Sequence, residues 1–349
     1  MNKKFSIKGL ILIVCFLPTC LTAEHIKETF TKKITEEFNI KSNGETSISN
    51  KYGPIVLNHW DKNTVKISVQ IEVKASTKRE ANILFDGIKI EFSNSESNVS
   101  ASTVIEFKNS NNNIQSLGDF LSSFFSNKLY NEFKINYEVW MPHENNVNIT
   151  LKYGDLTGQN IGGDANIDVK YGNFTLNEVK GNTTILLGYG NGTLVKTKNL
   201  SAEVKYSNLK AEEVLKSNLE TKYATVTMKQ AKDLTIQSGY DTYKIGGVER
   251  LDIEAKYGTY SFSLGQQAES IKLLGSYAGF TLRLPFDNAF EFYTVGKYLS
   301  VKFPEFVHFK HKRIEGSYKE FKGYYKSTRG FFLEADCKYG SLHMDPRGL

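Results

Sequence analysis

Residues 149–190 read ITLKYGDLTGQNIGGDANIDVKYGNFTLNEVKGNTTILLGYG, and what recurs in them decides the fold. Lys152-Tyr153-Gly154 returns as Lys170-Tyr171-Gly172 and again as Gly188-Tyr189-Gly190. The series continues through Lys205-Tyr206-Ser207, Lys222-Tyr223-Ala224, Gly239-Tyr240-Asp241, Lys256-Tyr257-Gly258 and Ser276-Tyr277-Ala278. From Tyr153 to Tyr257 the tyrosines stand 18, 18, 17, 17, 17 and 17 residues apart, and the steps to Tyr277 and Tyr298 are 20 and 21. A fixed period of this length marks a repeat architecture.

Apolar residues keep register with the tyrosines. Phe174, Leu176 and Val179 follow Tyr171 at three, five and eight residues, as Val226, Met228 and Ala231 follow Tyr223, and Tyr243, Ile245 and Val248 follow Tyr240. Four and two residues before come Ile167 and Val169, Ile185 and Leu187, or Ile253 and Ala255. Positions −4, −2 and 0 share one face of a strand, and +3 and +5 share one face of the next. The odd step between them demands a corner, usually filled by Gly, Ser or Ala. A unit this small cannot bury its own apolar face and must stack on its copies. Seventeen residues are too few for a helix pair. The expected fold is therefore all-β: a single-stranded β-solenoid, parallel β-helix-like, with coils of 17–18 residues about 4.8 Å apart. Proline, which disrupts such ladders, is missing between Tyr153 and Pro285.

The phase reaches further. Tyr52 is followed by Ile55, Leu57 and Trp60, Tyr298 by Val301, Phe303 and Phe306, and Tyr339 by Leu342 and Met344, with Cys337 at −2. In the first gap Ser76–Ile88 reads as a short helix, capped by Ser76, with Ala81, Leu84 and Ile88 on one face. A polar run, Ser110–Asn113, and an apolar segment, Phe120–Phe125, lead to Val139-Trp140-Met141-Pro142. This insert is expected to pack over the first coil, because an open end exposes unpaired strand edges. Residues 307–332, rich in lysine and aromatics, are expected to cover the other end. The organisation expected is a leader at 1–23, a first coil with its helical insert at 24–145, the repeat array at 146–306, and a C-terminal cap with the last coil at 307–349.

The leader reading rests on Lys3, Lys4 and Lys8 before the apolar run Leu10–Leu17, with Ala23 at the exit; Leu21 is bulky for its place. An alternative makes Leu17-Pro18-Thr19-Cys20 a lipoprotein junction with Cys20 lipidated, although Pro18 and Thr19 fit that pattern poorly. No later apolar run reaches transmembrane length. The chain from residue 24 carries +3, the full-length +6 less three lysines. That surplus gives no reason to invoke nucleic acid. Cysteines 15 and 20 lie in the leader, leaving Cys337, so neither an intramolecular disulfide nor a cysteine metal site is available after cleavage before Glu24.

The eleven phased tyrosines, Tyr52, Tyr153, Tyr171, Tyr189, Tyr206, Tyr223, Tyr240, Tyr257, Tyr277, Tyr298 and Tyr339, are read as structural. Parity with −2 and −4 points each ring inward near the corner, stacked on its neighbours. Lys152, Lys170, Lys205, Lys222 and Lys256 at −1, with Asp168, Glu203, Glu220 and Glu254 at −3, read as a solvated face of offset charge. Catalytic, cofactor and metal residues are expected to be none. Gly188, Gly190 and Gly192 fall at a repeat corner rather than in a phosphate loop. No nucleophile elbow or His-Glu-x-x-His motif occurs. His308 and His311 lack a third ligand, and Cys337 takes an inward position.

On these motifs (Tyr52–Val73 with Trp60-Asp61-Lys62, Glu80–Ile88, Tyr137–Pro142 and the Tyr-Gly coils) the chain resembles the putative-adhesin family of Gram-negative cell-envelope β-solenoid proteins. The likeness covers nearly all the chain after the leader. It implies the solenoid fold, no catalytic residues to carry over, and a place in the periplasm, outer membrane or cell surface. The expected function is an exported, non-enzymatic, adhesin-like binding or scaffold protein whose partner is a glycan or an envelope protein. The alternatives are a polysaccharide-cleaving solenoid enzyme and a structural or signalling accessory of the envelope.

Overall fold

The computed structural model describes residues 27–108, 114–115, 133–285 and 287–346. The expected leader at 1–23 with Cys20, the Ser110–Asn113 run and the Phe120–Phe125 segment lie outside the described residues. The chain is all-β, with one helix among the described residues and a long, mostly parallel sheet.

Each 17- or 18-residue segment pairs in parallel with the next, so that equivalent residues become neighbours. Ile167 pairs with Ile185, Ile185 with Ala202, Ala202 with Leu219, Leu219 with Ile236 and Ile236 with Ile253. We call each such segment a rung. The −4 column runs without a break from Ile48 to Thr294, and every member is buried. The +3 and +5 columns are buried too, through Phe174 and Leu176, Val226 and Met228, and Tyr243 and Ile245. Each fully buried aliphatic contributes about 1.5–3 kcal/mol. Because no rung encloses its own apolar face, that contribution exists only in the stack. The change of period from 18 to 17 is absorbed at one place: Val179 pairs with Thr197 but Asn182 with Asn199, and the register slips at Lys180-Gly181.

Antiparallel strands and the helix cover the N-terminal end. Ile55–Trp60 pairs in parallel with Tyr137–Pro142, whose strand runs antiparallel to Thr64–Ala75, itself antiparallel to Glu28–Asn39. The helix spans Lys78–Gly87, burying Ala81, Leu84 and Gly87. Its cap is Thr77, one residue later than expected. Thr77 Oγ1 accepts the Glu80 N–H at 3.2 Å, and the Glu80 carboxylate accepts the Ser76 N–H at 2.9 Å.

The last rung in the chain is not the last in space. Phe331–Lys338 lies between Ser270–Arg283 and Phe290–Lys297, parallel to both. Close approach at that seam requires Gly296, where a Cβ would come within 1.9 Å of the Cys337 carbonyl oxygen. The rung of Tyr298 is thereby pushed outward. Tyr318–Tyr325 then runs antiparallel to Phe290–Lys297, and Val307–Glu315 antiparallel to Tyr318–Tyr325.

Candidate functional site

The phased tyrosines form one continuous feature, and it lies outside the core. All eleven adopt left-handed backbone angles, φ 53–65°. That geometry reverses the alternation at the corner. The residues at −2 and −4 stay inside while the ring swings out, which corrects the inward orientation expected from parity. Tyr52 is half-buried, and the other ten are 42–61% exposed. The expected stacking is present. Ten ring pairs have centroids 4.7–5.2 Å apart and planes within 18° of parallel. The order follows the chain from Tyr52 to Tyr277, then passes through Tyr339 to Tyr298.

The backbone explains the Tyr-Gly pairing. Glycine follows tyrosine for want of space rather than for its torsion angles. A Cβ on Gly154, Gly172 or Gly190 would sit 2.1, 1.9 or 1.8 Å from the carbonyl oxygen of the matching glycine in the neighbouring rung. The tyrosine takes the left-handed turn while its N–H still bonds across rungs: Tyr171 to Gly188 O at 2.9 Å, Tyr206 to Lys222 O at 3.0 Å, Tyr339 to Lys297 O at 2.9 Å. A left-handed non-glycine residue costs roughly 1–2 kcal/mol. One aromatic pair contributes about 0.5–1.5 kcal/mol, and an internal ring belongs to two.

Stacking occupies the ring faces of internal members, so the ladder presents ring edges and hydroxyl groups. At +2 runs a second ladder of amides. Asp155 Oδ1 accepts the backbone and side-chain N–H groups of Asn173, both at 2.9 Å. Asn173 Oδ1 in turn accepts those of Asn191 at 3.0 and 2.8 Å, and Asn208 Nδ2 donates to Asn191 Oδ1 at 2.8 Å. Indentations follow this stripe along its length. A cleft of about 720 Å³ opens beside Tyr52, Tyr153 and Asp155, one of about 290 Å³ beside Asn191, Asn208 and Thr225, and one of about 430 Å³ beside Tyr277, Tyr298 and Tyr339. On the other side of the rings three of the five −1 lysines meet the −3 acids of their own strands. Lys170 meets Asp168 at 3.9 Å, Lys256 meets Glu254 at 3.5 Å, and Lys205 contacts Glu203.

The chemical candidates resolve into packing. Gly190 and Gly192 lie where side chains would collide with the Gly172 carbonyl and the Phe174 ring. His308 stacks on Tyr324 at 4.9 Å, and His311 lies 3.9 Å from Glu320. Among the described residues no group of three His, Cys, Asp or Glu side chains is placed to hold a metal ion. Cys337 is fully buried, and that burial pushes its thiol up to about 12, leaving almost no reactive thiolate near neutrality.

One polar centre escaped the sequence reading. Asp241 occupies the +1 site of the Tyr240 rung and is buried. Its Oδ1 accepts the Ala224 N–H at 2.6 Å, and its Oδ2 accepts from Thr221 Oγ1 at 2.6 Å, Ser238 Oγ at 2.5 Å and the Gly239 N–H at 2.8 Å. Tyr243 and Tyr260 complete it through Thr221 and Ser238, at 2.7 and 2.8 Å. Burial pushes the Tyr260 phenol up to about 12 and the Tyr243 phenol also upward. A signal was there to find: Thr221 and Ser238 are polar in a −2 column that holds Val169, Leu187 and Val204 in the three preceding rungs. Four donors saturate the carboxylate, so the centre fastens adjacent rungs.

No protein-family model matches the sequence, and no curated protein is similar to it. Solved structures similar to the chain include a "putative adhesin" from Bacteroides fragilis, 12% identical, with 90% of this chain and 97% of that one covered at a TM-score of 0.33. A "putative adhesin" from Parabacteroides distasonis is 10% identical, with 90% and 97% covered and a TM-score of 0.35. A "putative cell adhesion protein" from Clostridium sporogenes is 9% identical, with 90% and 99% covered and a TM-score of 0.21. Likenesses at this level assign the chain to no family.

Proposed function

We propose that the chain is an exported, single-stranded β-solenoid of the cell envelope that works without catalysis, as an adhesin-like binding or scaffold protein. Its parts are a leader at 1–23, an N-terminal coil and cap at 24–145, a repeat array at 146–306 and a C-terminal cap at 307–349. The partner is a glycan or an envelope protein, and the surface that meets it is the tyrosine edge with the amide ladder beside it. The single observation behind this reading is the uninterrupted stack of eleven rings, whose ten centroid steps together come to about 49 Å. Such a row offers a repeating, pre-ordered line of hydroxyl and amide groups, and pre-ordering lowers the entropic cost of binding an extended ligand.

The test uses the chain from residue 24 on glycan arrays and in pull-downs from intact envelopes, beside the double variant Tyr189→Ala/Tyr223→Ala. Retention of a ligand by the parent and its loss in the variant is the expected result. An empty array and empty pull-down, or equal retention by both proteins, would overturn the proposal. So would turnover of a neutral or uronic-acid polysaccharide.

A further inference from the structure

Phe306 is out of place. It stands eight residues after Tyr298, where other rungs put Val179, Ala231 and Val248, all buried. Here the ring is 84% exposed, on a residue at φ 64° in the turn that leads into Val307–Glu315. The sequence pattern makes it an inward residue. The structure turns it out because its rung is spatially terminal, so the loop at 303–306 has no further rung to cover it.

The hairpin that follows, Val307–Glu315 with Tyr318–Tyr325, turns at Gly316-Ser317 and forms the edge at this end. Among the described residues Val307–Glu315 pairs only with Tyr318–Tyr325, leaving its other side open. Phe309, Lys312 and Ile314 lie opposite Gly323, Phe321 and Lys319, on the face that Phe321 and Gly323 turn to the core. Phe309 meets Phe303 edge-on at 5.1 Å yet stays exposed, as does Ile314. Charge concentrates in the same place. Between 302 and 329 there are eight Lys or Arg and three Asp or Glu, a net +5, whereas the whole chain from residue 24 carries +3. The remainder is therefore net negative. Some of these cations already have partners: Lys310 meets Glu291 at 2.7 Å, and Arg313 meets Glu315 at 2.7 Å.

Lysines on an edge strand also serve to discourage strand pairing between molecules. That accounts for Lys310, Lys312 and Arg313, but it argues against displaying Phe306 and Ile314 beside them. A soluble polyanion would use the cations and leave Phe306 idle. An anionic bilayer uses both: headgroups take the positive charge, and the acyl boundary takes the aromatic and aliphatic side chains. We propose that the loop at 303–306 and the hairpin at 307–325 dock the molecule, end-on, to an anionic phospholipid surface through Phe306 and Ile314, with Lys302 and Lys312 at the headgroups. The tyrosine face then stands away from the membrane along the length of the stack.

The experiment is sedimentation of the chain from residue 24 with vesicles of phosphatidylcholine alone or mixed with phosphatidylglycerol. Binding is expected only to the mixed vesicles, and to weaken as salt rises from about 0.1 M to about 1 M, where the screening length falls to about 3 Å. Phe306→Ser should weaken it at least roughly tenfold, and Lys302→Gln and Lys312→Gln roughly fivefold each. Leu215→Ser, an exposed apolar residue on the side of the stack, should change nothing. Phe306→Trp provides a second readout that keeps the aromatic, a blue shift of its indole emission on mixed vesicles alone. Equal binding to neutral vesicles, an unshifted emission from the bound Phe306→Trp protein, or a Phe306→Ser protein that binds as the parent does would overturn the proposal. Competition by dissolved heparin with no effect of Phe306→Ser would assign the patch to a polyanion instead.

Discussion

Tyr206 holds a backbone conformation that glycine adopts without cost, and this inverts the usual consequence of substitution. Replacing it by alanine removes two stacked neighbours and keeps the left-handed strain. Replacing it by glycine removes the same neighbours and releases the strain. Glycine also gives the unfolded chain more freedom, which offsets part of that release. Tyr206→Gly should therefore be less destabilising than Tyr206→Ala by about 0.5–1 kcal/mol. Denaturant midpoints of the two variants check this, and an alanine variant as stable as the glycine one would contradict the left-handed assignment. The sequence made the stacking legible but not the side on which it occurs. Parity predicts an inward ring only if the chain stays extended through position 0, and eleven positive φ angles break that premise. A positive φ leaves no signature in residue type when the residue is tyrosine.

At the scale of the element, the seam between Ile55–Trp60 and the rest of the N-terminal end carries a pH dependence. His59 and His143 stack at 5.3 Å, and burial, reinforced by the neighbouring His143, lowers the His59 imidazole to about 4. His143 in turn lies 3.5 Å from Asp61. The folded chain therefore holds His59 neutral while the unfolded chain protonates it near 6.5. This contribution to stability is complete above pH 6.5 and is lost as pH falls from there through 4. Chemical denaturation at pH 7 and at pH 5 should show a smaller loss for His59→Gln than for the parent, and equal losses would remove His59 as the cause. Pairing at this end was only half legible. The helix could be read from Ala81 and Leu84, and its cap was misplaced by one residue because Ser76 and Thr77 are both good caps. Nothing local to Thr64–Ala75 reveals that it pairs antiparallel on both sides, because alternation of buried residues is the same in either direction.

For the whole molecule, periodicity picked out the buried aliphatic columns and the neighbours they meet, from Ile167 to Ile253, though not the side the tyrosines take. It did not fix the order at the C-terminal end, where Phe331–Lys338 enters between two earlier rungs. Steps of 20 and 21 residues look like loop insertions, and Tyr339 looks like one more step. Only the space granted by Gly296, together with contacts far apart in the chain, distinguishes an inserted rung from an appended one. The candidate surface was legible to the same degree. The tyrosines could be picked out and the asparagines at +2 were passed over, and the surface they make depends on the corner geometry.

The stacking order offers the most direct test, because Tyr339 lies 62 residues from Tyr277 in the chain and 4.9 Å from it in space. Two double-mutant cycles to alanine suffice, one pairing Tyr277 with Tyr339 and the other Tyr277 with Tyr298. A coupling of about 0.5–1.5 kcal/mol is expected for the first pair, and a smaller one for the second, whose rings meet only through Tyr339. Coupling between Tyr277 and Tyr298, with none between Tyr277 and Tyr339, would contradict this order.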